Sequence, residues 1–272
     1  MVRSLWSAAT GMIAQQNNVD TIANNIANVN TTGYKTETNE FKSLLYQTLQ
    51  TRTTTANGEQ KPIGAQVGLG VRNASITSQF TQGSMLESES AFAFALEGDG
   101  FFAVRGENGE TYYTRNGDFN VSIGPTGLTL TSKDGLAVLD QNGNPIVFPD
   151  NIISTKLSID TDGRFYYPDE NNVPQLLNDL QIGTWQFQNR AGLKKEGDSL
   201  YSITAASGLA LNENTNPNTE HSTIVQGYLE GSNVQIADEM VNLIVAQRAY
   251  EMNSKATTTT DEMLQQANQL KR

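Results

Sequence analysis

The sequence predicts an α+β fold, in which long N- and C-terminal helices form a coiled-coil-like pair and flank a central, mostly antiparallel β domain of hairpins. Three observations carry that expectation. Leu5, Ala8, Met12, Val19, Ile22, Ile26 and Val29 recur at alternating three- and four-residue steps, with Gln15 the sole polar residue in the series. That is the period of a helix whose narrow apolar seam faces another helix. The far end repeats it, in Val234, Ala237, Val241, Val245, Ala249, Met252, Ala256, Met263, Ala267 and Leu270, interrupted by Thr259. Between the two ends, short apolar runs are separated by Asn-Gly and Asp-Gly pairs, which suit the left-handed residues of tight hairpin turns.

Taken in order, Ser4 is placed to cap the first helix, which runs to about Val29 and stops at Asn30-Thr31-Thr32-Gly33, where Gly33 supplies a C-terminal signal. About 25 helical residues at ~1.5 Å each make a rod of roughly 37 Å. Ala and Asn fill much of the remainder, with six Asn between Asn17 and Asn30. Asn is a poor helix former and isolated helices are marginal, so this segment is expected to be helical only when packed against something. A second amphipathic stretch, Glu40 to Thr51, carries Phe41, Leu44, Leu45 and Leu49. Thr51 to Gly64 is polar and aperiodic, and reads as an extended or loosely ordered connection.

The β texture follows, with apolar runs at Phe92–Leu96, Phe101–Val104, Leu128–Thr131, Leu136–Leu139, Leu157–Ile159 and Ile182–Phe187. Asn-Gly or Asp-Gly pairs stand at 99–100, 108–109, 116–117, 134–135, 142–143 and 162–163. Residues 212–223 form a polar return loop, and the last helix, about Gln235 to Leu270, spans roughly 54 Å. The expected organisation is a discontinuous terminal helical assembly domain (1–50 and 225–272), an extended connecting segment (51–75) and a mostly β outer domain (76–224).

Composition narrows the chemistry. At 272 residues and 37% hydrophobic content the chain can bury one substantial core or two small ones. The net charge of −11 sits in the middle: residues 1–50 carry three basic and three acidic groups, residues 51–220 carry 11 and 20, and residues 221–272 carry four and six. No basic run stands out, which argues against nucleic acid and anionic membrane as partners. With no cysteine and one histidine, His221, thiolate and multi-histidine metal sites are excluded. The N-terminus has no apolar core of the kind a cleavable signal peptide needs, and no stretch approaches the ~18 apolar residues of a membrane span.

Motifs for catalysis fail on inspection. Gly98-Asp99-Gly100-Phe101-Phe102-Ala103 has dinucleotide-loop spacing, but a strand follows where a helix is required. Asp160-Thr161-Asp162-Gly163-Arg164 has its glycine two places early for a calcium loop, and Asp140-Gln141-Asn142-Gly143-Asn144-Pro145 has proline where that loop needs glycine. His221 falls in the polar return loop, and no nucleophile motif is present. No catalytic, cofactor or metal residue is assigned. The residues that remain are the seam, namely Leu5, Met12, Val19, Ile22, Ile26 and Val29 with Val241, Val245, Ala249, Met252, Met263 and Leu270. Paired with each other, two thin-seamed helices still leave apolar flanks exposed, and such surface marks association sites. Trp6 fits an interface anchor slightly better than a core residue. The bare residue pattern also admits a monomer with both helices folded back over the β domain, and a secreted enzyme or carbohydrate-binding β domain with helical ends.

The motifs Arg3–Met12 (RSLWSAATGM) and Ala23–Lys35 (ANNIANVNTTGYK), with Asn24, Asn25, Asn28, Asn30, Gly33 and Tyr34, resemble the N-terminal signature of the bacterial flagellar rod and hook family. Gly98–Phe102, Tyr113–Phe119, Gln226–Val241 and Gln247–Ala256 are similar to that family's β-domain and C-terminal segments, whereas residues 136–211 carry little resemblance. The length, the Leu44–Arg72 segment and the ending Thr260–Arg272 look most like distal rod members, with proximal rod and short hook-like paralogues as alternatives. The resemblance implies a structural axial subunit that self-associates into a helical assembly, the torque-bearing rod, with no catalysis and no cofactor. It implies other rod and hook proteins, the type III export apparatus and ring proteins as partners, and export without a cleavable signal peptide to the basal body, in the periplasm or cell wall.

Overall fold

The computed structural model describes residues 2–50, 65–124, 127–149, 152–153, 156–169, 173–216 and 219–270; the expected connection over Thr51–Gly64 lies outside them. The chain divides into two compact units. One comprises Met1–Ala27, Glu37–Ser78 and Gln235–Arg272, and the other Asn28–Thr36 and Gln79–Val234.

The first unit holds both long helices, α1 (Val2–Ala27) and α2 (Ile236–Gln269). They run antiparallel: the Ser4 and Thr260 hydroxyls lie 3.4 Å apart, and a Cβ on Gly11 would sit 2.9 Å from the Asn253 amide. Ser4 therefore lies inside α1 rather than capping it, and α1 ends two residues before Val29. Four strands complete the unit: β1 (Glu37–Ser43), β2 (Tyr46–Gln50), β3 (Ala65–Gly68) and β4 (Val71–Ser78). Antiparallel pairing of β1 with β4 and β2 with β3 is continued across their junctions, where the N–H of Leu44 donates to the Gly70 carbonyl (2.9 Å) and that of Leu69 to the Leu45 carbonyl (3.2 Å). The amphipathic stretch assigned to the helical domain is thus a β-ribbon, with Phe41, Leu45 and Leu49 exposed. Two partner strands satisfy its backbone instead of helical bonds, Val71–Ser78 for its first part and Ala65–Gly68 for Tyr46–Gln50.

The second unit is antiparallel β throughout. Its strands are β5 (Met85–Glu87), β6 (Phe94–Glu97), β7 (Phe101–Arg105), β8 (Thr111–Thr114), β9 (Phe119–Gly124), β10 (Gly127–Ser132), β11 (Ala137–Val138), β12 (Val147–Phe148), β13 (Ser158–Ile159), β14 (Arg164–Pro168), β15 (Pro174–Gln181), β16 (Thr184–Gln186), β17 (Lys194–Gly197), β18 (Leu200–Ser202), β19 (Leu211–Asn212), β20 (Thr223–Gln226) and β21 (Tyr228–Glu230). The main sheet is built around the β7–β8 hairpin; β13, β14 and β15 form a separate sheet, while β20 pairs with β6 and β21 with β5. Phe101, Phe102, Ala103 and Val104 are all fully buried, so β7 is covered on both faces. Its two side-chain rows enter different cores. Phe102 and Val104 join Phe94, Leu96, Phe119, Phe148 and Phe165, and Phe101 and Ala103 join Tyr113, Leu139, Phe187 and Tyr201. The unbroken apolar run Phe101–Val104 is the sequence trace of that two-sided burial.

Four of the six Asn-Gly and Asp-Gly pairs form the expected turns, with Gly109, Gly135, Gly143 and Gly163 at φ between +80° and +85°. Gly117 is there for a different reason: a Cβ would lie 1.8 Å from the Phe94 carbonyl oxygen, so the site demands close backbone approach. The discarded calcium loop at Asp140 is a self-bonded turn, in which the carboxylate accepts the N–H groups of Asn142 and Asn144, each at 2.8 Å.

Burial pushes the Tyr113 hydroxyl up to about 12. Its folded value exceeds the unfolded one, so its contribution to stability is intact below pH ~10 and is lost as pH rises from ~10 through about 12. Spectrophotometric titration at 295 nm should show a tyrosine ionising at about 12 that is absent in Tyr113→Phe. The alkaline fall in melting temperature should be shallower in that variant.

Candidate functional site

The helix pair is the first feature that composition alone does not explain. The covered face of α2 is formed by Glu239, Leu243, Ala246, Ala249, Asn253, Thr257, Thr260 and Leu264, spaced at three- and four-residue steps. Apart from Leu243 and Leu264 it is made of small or polar residues. The opposite face carries Met240, Val241, Ile244, Val245, Met252 and Met263, each 47–67% exposed. In this chain α2 is therefore inverted relative to an ordinary surface helix, which hides its apolar stripe.

The structure separates the two halves of the sequence-derived seam. On α1 and just beyond it, Ile22 is buried and Leu5, Met12, Val19, Ile26 and Val29 are half-buried. On α2, Val241, Val245, Met252, Met263 and Leu270 are exposed and Ala249 is half-buried. Periodicity followed the apolar residues, whereas close packing against α1 selected the small ones. Gly11 and Ala14 let the backbones approach in a way that Val or Met would prevent. On α1, Trp6 and Ile13 also point outward, 65% and 61% exposed.

The Asn-rich motif resolves into distinct roles. Asn25 is buried and its amide both donates to the Glu37 carbonyl (2.9 Å) and accepts from the Glu37 N–H (2.8 Å), imitating a neighbouring strand. Asn28 accepts from the Thr31 hydroxyl (3.1 Å) in the turn that follows α1. Asn24 and Asn30 are exposed, and Tyr34 is half-buried. Gly33 has φ +69° and donates its N–H to the Glu230 carbonyl (2.8 Å).

Within the second unit, a buried charge cluster joins the segment that follows α1 to the strand that precedes α2. Lys35 Nζ lies 2.6 Å from Glu230 Oε1, and Arg115 Nη1 lies 3.3 Å from Glu230 Oε2; all three side chains are almost wholly buried. Lys35 also donates to the Thr81 carbonyl (2.7 Å), and the N–H of Gly83 donates to Glu230 (3.0 Å). Arg115 donates to the Gly98 carbonyl and stacks over the Phe101 ring at 5.3 Å. Desolvation holds Lys35 below the ordinary lysine range against the opposing attraction of Glu230, with Arg115 adding to the depression. Desolvation likewise lowers Arg115, opposed by Glu230, Asp99 and Glu213. Glu213 is itself fully buried, accepting from the Ser222 N–H and hydroxyl at 2.8 and 2.9 Å. Two buried cations are thus matched by two buried carboxylates, and breaking such a pair is strongly destabilising. Beside it, the Asn233 amide accepts from the Thr36 N–H (2.7 Å) and hydroxyl (2.8 Å) and donates to the Gln79 carbonyl (2.9 Å) and the Thr81 hydroxyl (2.7 Å).

Sequence reasoning missed Lys35, Arg115, Glu230 and Asn233 as a group. The family-like motifs contain them, but a buried charge looks like any solvated one until its partner, 195 residues away, is located. Among the described residues no cluster of potential metal ligands occurs, and no helix is long and apolar enough to cross a membrane.

Comparison with known proteins gives three family models in chain order. They are a flagella basal body rod protein model over residues 5–35, the D1 domain of flagellar hook protein FlgE/F/G over 95–167, and the C-terminal model of flagellar basal body rod FlgEFG proteins over 225–270. Similar full-length relatives are the flagellar basal-body rod protein FlgG of Borreliella burgdorferi (43% identical over 100% of both chains), that of Agrobacterium fabrum (40%, covering 96% of this chain and 97% of the relative) and that of Bacillus subtilis (37%, 100% of both).

Proposed function

This chain belongs to the flagellar basal-body rod protein family, and from that premise we propose that it is a structural subunit of the distal rod, self-associating head to tail into a helical assembly that carries torque from motor to hook. It is a structural protein, not an enzyme. The observation that carries the reading is the outward apolar stripe of α2, from Met240 to Met263, on a helix that buries small polar residues against α1. A stripe of that length left in water is costly, and association with further copies removes it. Together with Trp6 and Ile13 it makes the helix pair the part of the chain best suited to contact neighbours.

The Asn- and Ala-rich α1 supports a two-stage history. A helix that is weak alone travels through the export apparatus unfolded and orders on meeting neighbours, where burial offsets the ordering entropy. Other rod and hook proteins, and the rings around the rod, are the remaining partners in this reading. The helices form the inner tube, the segments following Gly33 pack between subunits, and the acidic β unit lies outermost, in the periplasm or cell wall. Deleting residues 1–30 tests the core of the idea. Purified protein lacking them should sediment as a single species at concentrations where the full chain polymerises, and filaments from the deleted protein would overturn it.

A further inference from the structure

Within the second unit, the segments that come first in the chain are bonded to the segment that comes last. The Gly33 N–H donates to the Glu230 carbonyl (2.8 Å), and the Thr36 N–H donates to the Asn233 amide oxygen (2.7 Å). The Asn233 amide in turn donates to the Gln79 carbonyl (2.9 Å), and β21 is the only strand paired with β5 among the described residues. Thr36 and Asn233 are 197 residues apart, and Gln79 and Asn233 are 154 apart. Contacts of such separation form late, because the intervening chain must be closed into a loop before they contribute.

The last segment is also part of the core. Phe94, Ala95 and Leu96 are fully buried, and β20 is the only strand paired with their backbone among the described residues. Without β20 and β6, the row of Phe102 and Val104 loses Phe94, Leu96 and Ile224 from its core. The Gln226 amide ties three further points, donating to the Ala91 and Leu157 carbonyls (2.8 and 3.0 Å) and accepting from the Ile159 N–H (3.1 Å). The Ser222 hydroxyl accepts from the Gly100 N–H (2.8 Å). Glu230 is the carboxylate that Lys35 and Arg115 share, so a chain lacking it would bury two cations without their counter-ion.

We propose that residues 222–234 are a closing latch, without which the β unit does not fold. A chain made from its N-terminus presents residues 28–222 first, and the latch leaves them open until the last strands, β20 and β21, arrive. Resting on the reading of the chain as an exported subunit, the latch acts as a timing device: the bulkiest part of the molecule stays threadable until nearly all of the chain has been made or delivered. The hairpins closed by local turns then fold together with the distant pairs rather than ahead of them.

The test uses the purified full chain. In native-state hydrogen exchange, the amides of β20 and β21 should open together with those of β6 and β7, in one event with one denaturant dependence. Ile224→Val and Gln226→Ala should lower protection across all four strands alike. Ile224→Val should also slow refolding by about two- to tenfold while leaving unfolding nearly unchanged, since the latch is then already docked in the transition state. If Gln226→Ala does not fold, Ile224→Val, which removes one methyl and no hydrogen bond, decides. Exchange of β20 and β21 through a smaller opening, with β7 still protected, overturns the latch. So does an Ile224→Val variant that refolds at the parent rate and unfolds faster. Neither measurement involves an export apparatus, so failure of the latch is read separately from failure of the export reading, which secretion of the chain by cells tests.

Discussion

Val241→Asp combined with Val245→Asp should abolish polymerisation while leaving the isolated subunit folded. Both side chains are about 60% exposed in the single chain. Substitution at such positions is expected to change subunit stability by no more than about 0.5 kcal/mol each. In the assembled state the same positions would be covered by a neighbour, and an unpaired carboxylate buried there costs several kcal/mol. Because every copy carries both substitutions, the penalty recurs at each added subunit and elongation stops. Circular dichroism and thermal melting should match the parent, while sedimentation and electron microscopy should show no polymer, and cells carrying the variant should not swim. Polymers of normal length from the double variant would remove α2's outer stripe from the interface.

Gly33→Ala is expected to cost the β unit about 3 kcal/mol or more. Two independent penalties meet there. The backbone is held at φ +69°, where an L-residue is strained by roughly 1–2 kcal/mol. The added Cβ would also lie 2.6 Å from the Asn116 nitrogen and 2.8 Å from the Arg115 carbonyl carbon, both backbone atoms of a turn held by its own hydrogen bonds. Gly109→Ala is the control. Its φ is +80°, but nothing lies within 4 Å of the new Cβ, so it should cost only about 1 kcal/mol. Urea unfolding of both variants separates conformational strain from steric exclusion; equal midpoints would mean that the Asn116 turn yields.

The sequence reading of Gly33 as a helix C-terminal signal found a left-handed residue but not its role, since α1 ends at Ala27 and the Gly33 N–H is bonded to the Glu230 carbonyl. A glycine after a helical pattern signals a left-handed residue, and Gly33 is one, yet its larger constraint is the backbone of Asn116, 83 residues on. The same limit appears at Gly117, read as a hairpin turn and in fact a point of backbone contact with Phe94. Turns closed by local hydrogen bonds, such as the Gly109, Gly135, Gly143 and Gly163 turns, were legible because both partners lie within a few residues of each other. The Glu40–Thr51 stretch was misplaced among the helices for the opposite reason. Its partner strands, Ala65–Gly68 and Val71–Ser78, lie across a long gap, and a few scattered apolar residues do not reveal whether the backbone bonds to itself or to another segment.

The sequence by itself determined the two long helices, the β character of the middle, the absence of a cysteine or multi-histidine site, and the family. Each rests on local periodicity, local turn chemistry or residue identity, which the chain carries in order. Tertiary structure alone decided which face of α2 is turned inward and which charges are buried. The paired face was chosen by how closely two backbones can approach, and that favoured Ala, Thr and Asn over the Val and Met that a hydrophobic period selects. Lys35, Arg115 and Glu230 became a cluster only because folding removed them together from water, where each cation is tolerable only beside its carboxylate.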